Sequence, residues 1–185
     1  MEVPEDYKLL RTVDLQNDKK AALLVNFAAI GISVVMIAAA ILIRGIKETA
    51  YIYFTVGKAV IFIFSIIAYM VLHELTHGIF MRYYSGKKPK YGFTGLYAFA
   101  AADALFKKRQ YIVIGLSPIV ILGVLILALN IFLPQYFWSI YIIQILNVSG
   151  AAGDLYVMAL LVGIKSDILV FDTGTAMRIY SKTEQ

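Results

Sequence analysis

The feature that most restricts the fold of this chain is a run of 23 residues without a charged side chain, from Ala21 to Ile43. A helix of that length spans the roughly 30 Å hydrocarbon core of a bilayer. Three further long apolar stretches follow, at about 56–81, 111–133 and 138–164. Because backbone polar groups in lipid must be satisfied within the protein, such stretches are expected to be helices. The pattern therefore predicts an all-α integral membrane protein with four transmembrane helices, at about 21–43, 56–81, 111–133 and 138–164.

The composition agrees with a membrane location. Hydrophobic residues make up 61% of the 185 residues and charged residues only 16%, whereas a soluble domain is about half apolar and a quarter charged. We expect a single membrane domain over 1–185. It comprises an N-terminal tail at 1–20, a membrane core at 21–164 that includes a loop at 82–110, and a C-terminal tail at 165–185. The absence of cysteine excludes disulfides and thiolate metal sites.

The distribution of positive charge predicts the orientation in the membrane. Fourteen of the 17 Lys and Arg residues lie in the two tails and the 82–110 loop, and only Arg44, Lys47 and Lys58 lie on the opposite side. Lys and Arg concentrate on the cytoplasmic side of membrane proteins. We therefore expect both termini and the 82–110 loop in the cytoplasm. Topology and anionic lipids account for the net charge of +5, and we expect no nucleic-acid partner.

Two segments outside the spans favour short cytoplasmic β-hairpins. Glycines punctuate the aromatic residues of Tyr91–Ala98, which is typical of a hairpin. The segments 167–171 and 175–180 flank Asp172-Thr-Gly174, which predicts a second hairpin with a tight turn. Phe171-Asp-Thr-Gly174 also looks like the signature of aspartic proteases. That chemistry needs two carboxylates that share a proton, and the chain has no room for a second copy.

The second span carries the residues that suggest chemistry. It contains the only two histidines of the chain, His73 and His77, with Glu74 between them. Residues four apart lie on the same face of a helix, so both imidazoles can bind one metal ion. In the H-E-x-x-H pattern of zinc peptidases, the glutamate is the general base. Since ionisable side chains are costly in lipid, we expect one Zn2+ per chain here, with Glu74 as the catalytic residue.

A third metal ligand must come from elsewhere in the chain. Catalytic zinc usually has three protein ligands and one open position. Without a third histidine or a cysteine, the third ligand must be a carboxylate or an amide oxygen. Of the 12 acidic residues, only Glu74 and Asp154 fall within predicted spans. Asp154 lies at about the same depth as the histidines, in the cytoplasmic half, so we expect His73, His77 and Asp154 to bind the metal.

Two features precede Asp154, and each has two interpretations. Asn147 lies two turns earlier, where it can hydrogen-bond a substrate backbone or a metal-bound oxygen, or serve only as a contact between helices. The small residues of Ser149–Gly153 let helices approach closely. They also let the backbone unwind where it lines a polar cavity, which would open room for a peptide. Both interpretations of this run can hold together.

These residues carry a resemblance to a known class of enzymes. The segment His73-Glu-Leu-Thr-His-Gly78, followed two spans later by Asn147 and Asp154, resembles the site-2 protease class of intramembrane zinc metalloproteases. The whole chain is also similar to a small family of four-span zincin-like membrane proteins. About 110 residues, in spans two to four, match the catalytic core of the class. The resemblance implies His73, His77 and Asp154 as zinc ligands, Glu74 as the base, and cleavage of a peptide bond within or beside the membrane.

The chain departs from the class in one segment. No proline lies between Asn147 and Asp154, and Leu155 stands where the class has a glycine. This departure concerns the handling of the substrate. An extended substrate can be held by strand addition to a sheet edge, for which the Tyr91–Ala98 hairpin is the candidate.

The sequence thus predicts a multi-pass membrane endopeptidase that depends on zinc. Its active site would face the cytoplasmic side, and its substrate would be a membrane-embedded or membrane-adjacent protein or peptide. Two alternatives remain: a non-catalytic membrane scaffold that binds metal, and a proton or ion relay that uses Glu74 and Asp154. Glu74 separates them, because a structural zinc site is usually closed by four protein ligands and does not need a base.

Overall fold

The computed structural model describes residues 2–45, 55–95 and 97–183. The chain is mostly helical. Its helices are α1 (Lys19–Arg44), α2 (Val56–Ser85), α3 (Lys108–Phe132), α4 (Phe137–Ser149) and α5 (Ala152–Gly163), with one turn of 3₁₀-helix at Pro134–Tyr136. Three of these helices and the combined segment Pro134–Gly163 are long and apolar enough to cross a membrane. The four predicted spans are therefore present as helices, as expected of a multi-pass membrane protein.

Local signals explain where the first two spans begin and end. The side chain of Asp18 accepts hydrogen bonds from the backbone N–H groups of Lys20 and Ala21, which caps the start of α1. Thr55 caps α2 in the same way. Gly86 ends α2 in the left-handed conformation (φ 68°), which glycine adopts without steric cost. Residues 46–54, between the first two predicted spans, lie outside the described residues.

The fourth predicted span is two helices rather than one. Helix α4 ends at Ser149 and α5 begins at Ala152, so the interruption falls inside the run of small residues. The helix is therefore interrupted within this run, although Gly150 keeps helical geometry and donates to the carbonyl of Leu146. That the run opens room for a peptide stays a prediction. The break places Asp154 in the first turn of α5, where a negative charge is favoured by the helix dipole.

The description as an all-α protein needs correction, because the described residues also form six strands: β1 (Tyr7–Val13), β2 (Lys90–Phe93), β3 (Ala98–Ala101), β4 (Leu105–Lys107), β5 (Ile168–Asp172) and β6 (Met177–Lys182). The two predicted hairpins are the antiparallel pairs β2–β3 and β5–β6. Strands β1 and β4 extend the second hairpin to a four-stranded antiparallel sheet in the order β1-β6-β5-β4. The predicted N-terminal tail thus contains a strand, whose partner comes from the far end of the chain.

This sheet closes one end of the helix bundle. Alternate side chains of β5 and β6 point into the core, where Ile168, Val170 and Ile179 are fully buried against Phe106 and Leu161. Such alternation is what a strand with one covered face requires. Because β4 leads directly into α3 and α5 leads through a short loop into β5, the sheet holds the ends of two helices that build the site.

Helix α3 is at the centre of the bundle. It packs against α2, α4 and α5, whereas α1 packs against α4 and α5. In their most apolar segments, 39% of the residues are buried in α3 and in Pro134–Gly163, but only 6% in α1 and α2. Large apolar side chains such as Val35 and Phe64 are exposed on the outer faces, where a bilayer would cover them. The orientation of the termini relative to the membrane stays a prediction.

Candidate metal centre

One face of α2 presents three side chains at four-residue intervals: Tyr69, His73 and His77. The helical repeat brings the two imidazole rings together, with their centroids 4.9 Å apart and their planes at 80°. Both histidines are buried. The two histidines therefore lie on one face of the helix, as their spacing predicts.

Asp154 of α5 meets this pair of histidines. Its Oδ2 atom lies 3.3 Å from Nε2 of His73 and 3.6 Å from Nε2 of His77. One candidate ligand atom from each residue lies within 4.8 Å of the others, and among the described residues this is the group that could hold a metal ion. The structure thus brings together the three residues predicted as ligands.

The chemistry of these three side chains fits a zinc ion. Two imidazole nitrogens and one carboxylate oxygen are ligands that zinc takes in catalytic sites, where a fourth position stays open. About 33% of the Asp154 side chain is exposed, whereas that of His73 is only 11% exposed. Asp154 also lines a cavity, which leaves room for a further molecule beside the three side chains.

The opposite nitrogen of each histidine has its own partner. Nδ1 of His77 donates to the backbone carbonyl of Ile114, at 2.9 Å. Nδ1 of His73 lies 3.2 Å from the hydroxyl of Tyr69, which also donates to the carbonyl of Leu146 at 3.4 Å. Metal-binding histidines commonly orient their rings through such contacts. Sequence reasoning missed Tyr69, although its place four residues before His73 on the same helical face could have indicated it.

The cluster opens into a cavity of about 810 Å³ between the helices and the β-structure. Glu74 is half-buried and lines this cavity beside the two histidines. Its carboxylate also lies near the backbone N–H of Ala100 in β3. On the other side, Asn26 of α1 faces the same cavity. The predicted base therefore lies where a molecule in the cavity can reach both it and the predicted metal ligands.

A second polar pair lies in the wall of the cavity. The hydroxyl of Tyr111 donates to Oδ2 of Asp172, and the backbone N–H of Gly174 donates to Oδ1 at 2.7 Å. Burial raises the pKa of Asp172 above its ordinary value, against the effect of these two hydrogen bonds. The predicted turn at Asp172-Thr-Gly174 is confirmed.

Asn147 is placed away from the cavity. It is fully buried between α4 and α3, where its side-chain N–H donates to the carbonyl of Ile119 at 3.0 Å. A Cβ at Gly123 would lie 3.1 Å from the same Asn147 nitrogen. This is the helix-contact role that was one of its two interpretations. The substrate-binding role of Asn147 stays a prediction.

Contacts at two glycines, Gly78 and Gly174, attach the β2–β3 hairpin to the rest of the site. The ring and hydroxyl of Tyr91 occupy the space beside Gly78, where a Cβ would stand. The ring of Phe99 packs in the same manner against Gly92 of its own hairpin and against Gly174 of the β5–β6 turn. These contacts hold β3 next to Glu74.

Comparison with known proteins agrees with this geometry. A family model described as "putative zincin peptidase" matches residues 66–169, which include the whole cluster. No curated protein and no solved structure matches the chain. The matched segment covers more than half of the 185 residues, and the chain therefore belongs to the family of that description.

Proposed function

We propose that the chain is a zinc-dependent endopeptidase that hydrolyses a peptide bond within or beside the membrane. The observation that carries the proposal is the convergence of His73, His77 and Asp154 beside Glu74. Membership of the family supports a metallopeptidase. The intramembrane location rests on α2, which holds both histidines and Glu74 within a helix long and apolar enough to span a bilayer.

Each residue of the cluster has a separate role in this proposal. His73, His77 and Asp154 hold the zinc ion, which when bound supplies Lewis acidity to a water molecule and a peptide carbonyl. Glu74 is the general base, which takes the proton of the water and returns it to the leaving amine. The histidines are unsuited to this role because their Nδ1 atoms already have partners and their Nε2 atoms face Asp154.

The hairpin supports a way to hold the substrate. Peptide bonds in a helix are hidden in hydrogen bonds, so a transmembrane substrate must unwind before cleavage. Ala98, Phe99 and Ala100 of β3 line the cavity beside Glu74. Within the described residues, β3 pairs with β2 along one edge and with no strand along the other. An extended substrate that adds to this edge is placed next to the base.

The proposal is tested by zinc content and by cleavage in the same preparations of full-length protein. The probe is a synthetic peptide with one apolar span interrupted by an Asn-Gly pair, reconstituted with the protein in phospholipid vesicles. We expect about one zinc per chain in the wild type and in Glu74→Gln, and none in His77→Ala. Only the wild type should cleave. Glu5→Gln, at an exposed residue outside the cavity, is the matched control and should keep both properties.

The alternative functions give different results. Cleavage by Glu74→Gln at the wild-type rate would contradict the role of Glu74 as the base. Zinc in a protein that cleaves no peptide would favour a metal-binding scaffold. A folded wild type without zinc would favour a proton or ion relay through Glu74 and Asp154.

A further inference from the structure

Pro118 lies inside α3 and is almost completely buried. In an α-helix the backbone N–H of each residue donates to the carbonyl four residues earlier. Proline has no N–H. At this position the carbonyl that loses its helical donor is that of Ile114, which is itself buried in the core.

The carbonyl of Ile114 accepts hydrogen bonds from two other donors. Nδ1 of His77 donates to it from α2 at 2.9 Å, and the hydroxyl of Ser117 donates to it at 2.8 Å. A carbonyl oxygen has two lone pairs, so these two hydrogen bonds complete its capacity. The carbonyl that Pro118 leaves without its helical donor is therefore the one that binds His77, a predicted metal ligand.

In the neutral ring this contact decides which nitrogen of His77 carries the proton, because the Asp154 oxygen, 3.6 Å from Nε2, lies beyond hydrogen-bond distance. A carbonyl can only accept, so Nδ1 of the neutral ring must hold the hydrogen. The lone pair of that ring is then on Nε2, the atom that lies 3.6 Å from Oδ2 of Asp154. This tautomer is the one in which His77 can donate electrons to a metal held with Asp154.

We propose that Pro118 is a positioning residue for His77: it withholds the N–H that would occupy the Ile114 carbonyl and so reserves that carbonyl for the imidazole. Any other residue at position 118 would supply a third donor to an oxygen with two lone pairs, and one of the three hydrogen bonds would weaken. The inference rests on the proposed metal site. Its first test nevertheless needs no metal.

The first measurement is the tautomer of His77 in metal-free protein. Because the chain contains only two histidines, ¹⁵N-labelled histidine gives the signals of two rings, and His77→Ala identifies which belongs to His77. The spectra are recorded after treatment with a chelator, at a pH where both rings are neutral. We expect the Nδ1–H form in the wild type and a shift toward the Nε2–H form in Pro118→Ala. An unchanged His77 tautomer in Pro118→Ala would overturn the inference.

The second measurement is zinc affinity, by competition with a chromogenic chelator. Loss of a partner that orients a metal-binding histidine lowers affinity by about 10- to 100-fold, and we expect a loss of about 10-fold or more in Pro118→Ala. Pro118→Gly should behave alike, because it also supplies an N–H. If Pro118 acted only by bending the helix, Pro118→Gly would keep a zinc affinity closer to that of the wild type than Pro118→Ala does. Such a difference between the two variants would overturn the inference.

Two controls separate positioning from a purely structural effect. Val120 lies two residues further along α3 on an exposed face. Val120→Ala should leave the His77 tautomer and the zinc affinity unchanged. Ser117→Ala removes the competing donor and should not weaken zinc binding. A shifted tautomer in a chain that binds no zinc supports the role of Pro118 while the proposed function fails. If Pro118→Ala has the zinc affinity and the His77 tautomer of the wild type, the role of Pro118 is rejected and the proposed function is not affected.

Discussion

Nε2 of His73 lies 3.3 Å from Oδ2 of Asp154, although 81 positions separate the two residues in the chain. One residue belongs to α2 and the other to the first turn of α5. The helix break after Ser149 is what brings Asp154 to a helix start at this point. The cluster therefore depends on the packing of two distant segments as well as on the motif in α2.

Replacement of Asp154 by asparagine should weaken zinc binding by more than about 100-fold. Asparagine keeps the size of the side chain but removes the negative charge that faces both histidines. Loss of a partner outside the ligand shell already costs about 10- to 100-fold in affinity, so loss of a charged ligand should cost more. Chelator competition on detergent-purified protein measures the effect. Unchanged zinc affinity would show that the third ligand is another residue.

Gly78→Ala should displace the β2–β3 hairpin and slow cleavage while zinc content stays at the wild-type level. A Cβ at this position collides with the ring and hydroxyl of Tyr91, so the aromatic side chain must move away from α2. Gly31→Ala, where no described atom lies within 4 Å of the added Cβ, is the matched control. It should be neutral or stabilising, because alanine is the better helix former by about 1 kcal/mol.

Cleavage rate and thermal unfolding in detergent measure both glycine variants. Equal rates in Gly78→Ala and Gly31→Ala would mean that the Tyr91 contact does not position the hairpin for catalysis.

Gly174→Ala should lower the free energy of unfolding more than Gly86→Ala. Both glycines have positive φ, 86° and 68°, and a side chain in that conformation costs about 1–2 kcal/mol. Only at Gly174 does the added Cβ also collide with the ring of Phe99. Melting temperatures of the two variants measure the difference. Equal losses would show that the ring of Phe99 moves aside without cost.

Asp172→Asn should become more stabilising, relative to the wild type, as the pH rises. Burial raises the pKa of Asp172 above its value in the unfolded chain, so ionisation of this carboxyl opposes folding. The unfavourable contribution is absent below both pKa values, grows as the pH rises from about 4, and is constant above the folded-state pKa. Asparagine removes the titration and can still accept the hydrogen bond from Gly174, although its amide N–H group cannot accept the one from Tyr111. The prediction therefore concerns how the stability difference changes with pH.

Thermal unfolding of both proteins, from about pH 4 to about pH 8, measures this difference. A difference in melting temperature that does not change with pH, or that grows as the pH falls, would contradict a raised pKa at Asp172.

The membrane spans and the metal motif were accessible from the sequence because both depend on local patterns. Long uncharged stretches predict helices in lipid, and a four-residue spacing places His73 and His77 on one face. Asp154 was also accessible, since it is one of only two acidic residues in the spans. Strand β1 was not, because its pairing with β6 joins opposite ends of the chain and leaves no local periodicity.

What the tertiary structure decided is the environment of the motif. Three hydrogen bonds in and around the site join residues far apart in sequence. They run from His77 to the carbonyl of Ile114, from Tyr111 to Asp172, and from Asn147 to the carbonyl of Ile119. A residue's type and spacing indicate which groups can bind a metal or move a proton. Which partner each group receives depends on how α2, α3 and α5 pack, because hydrogen bonds act only over about 3 Å.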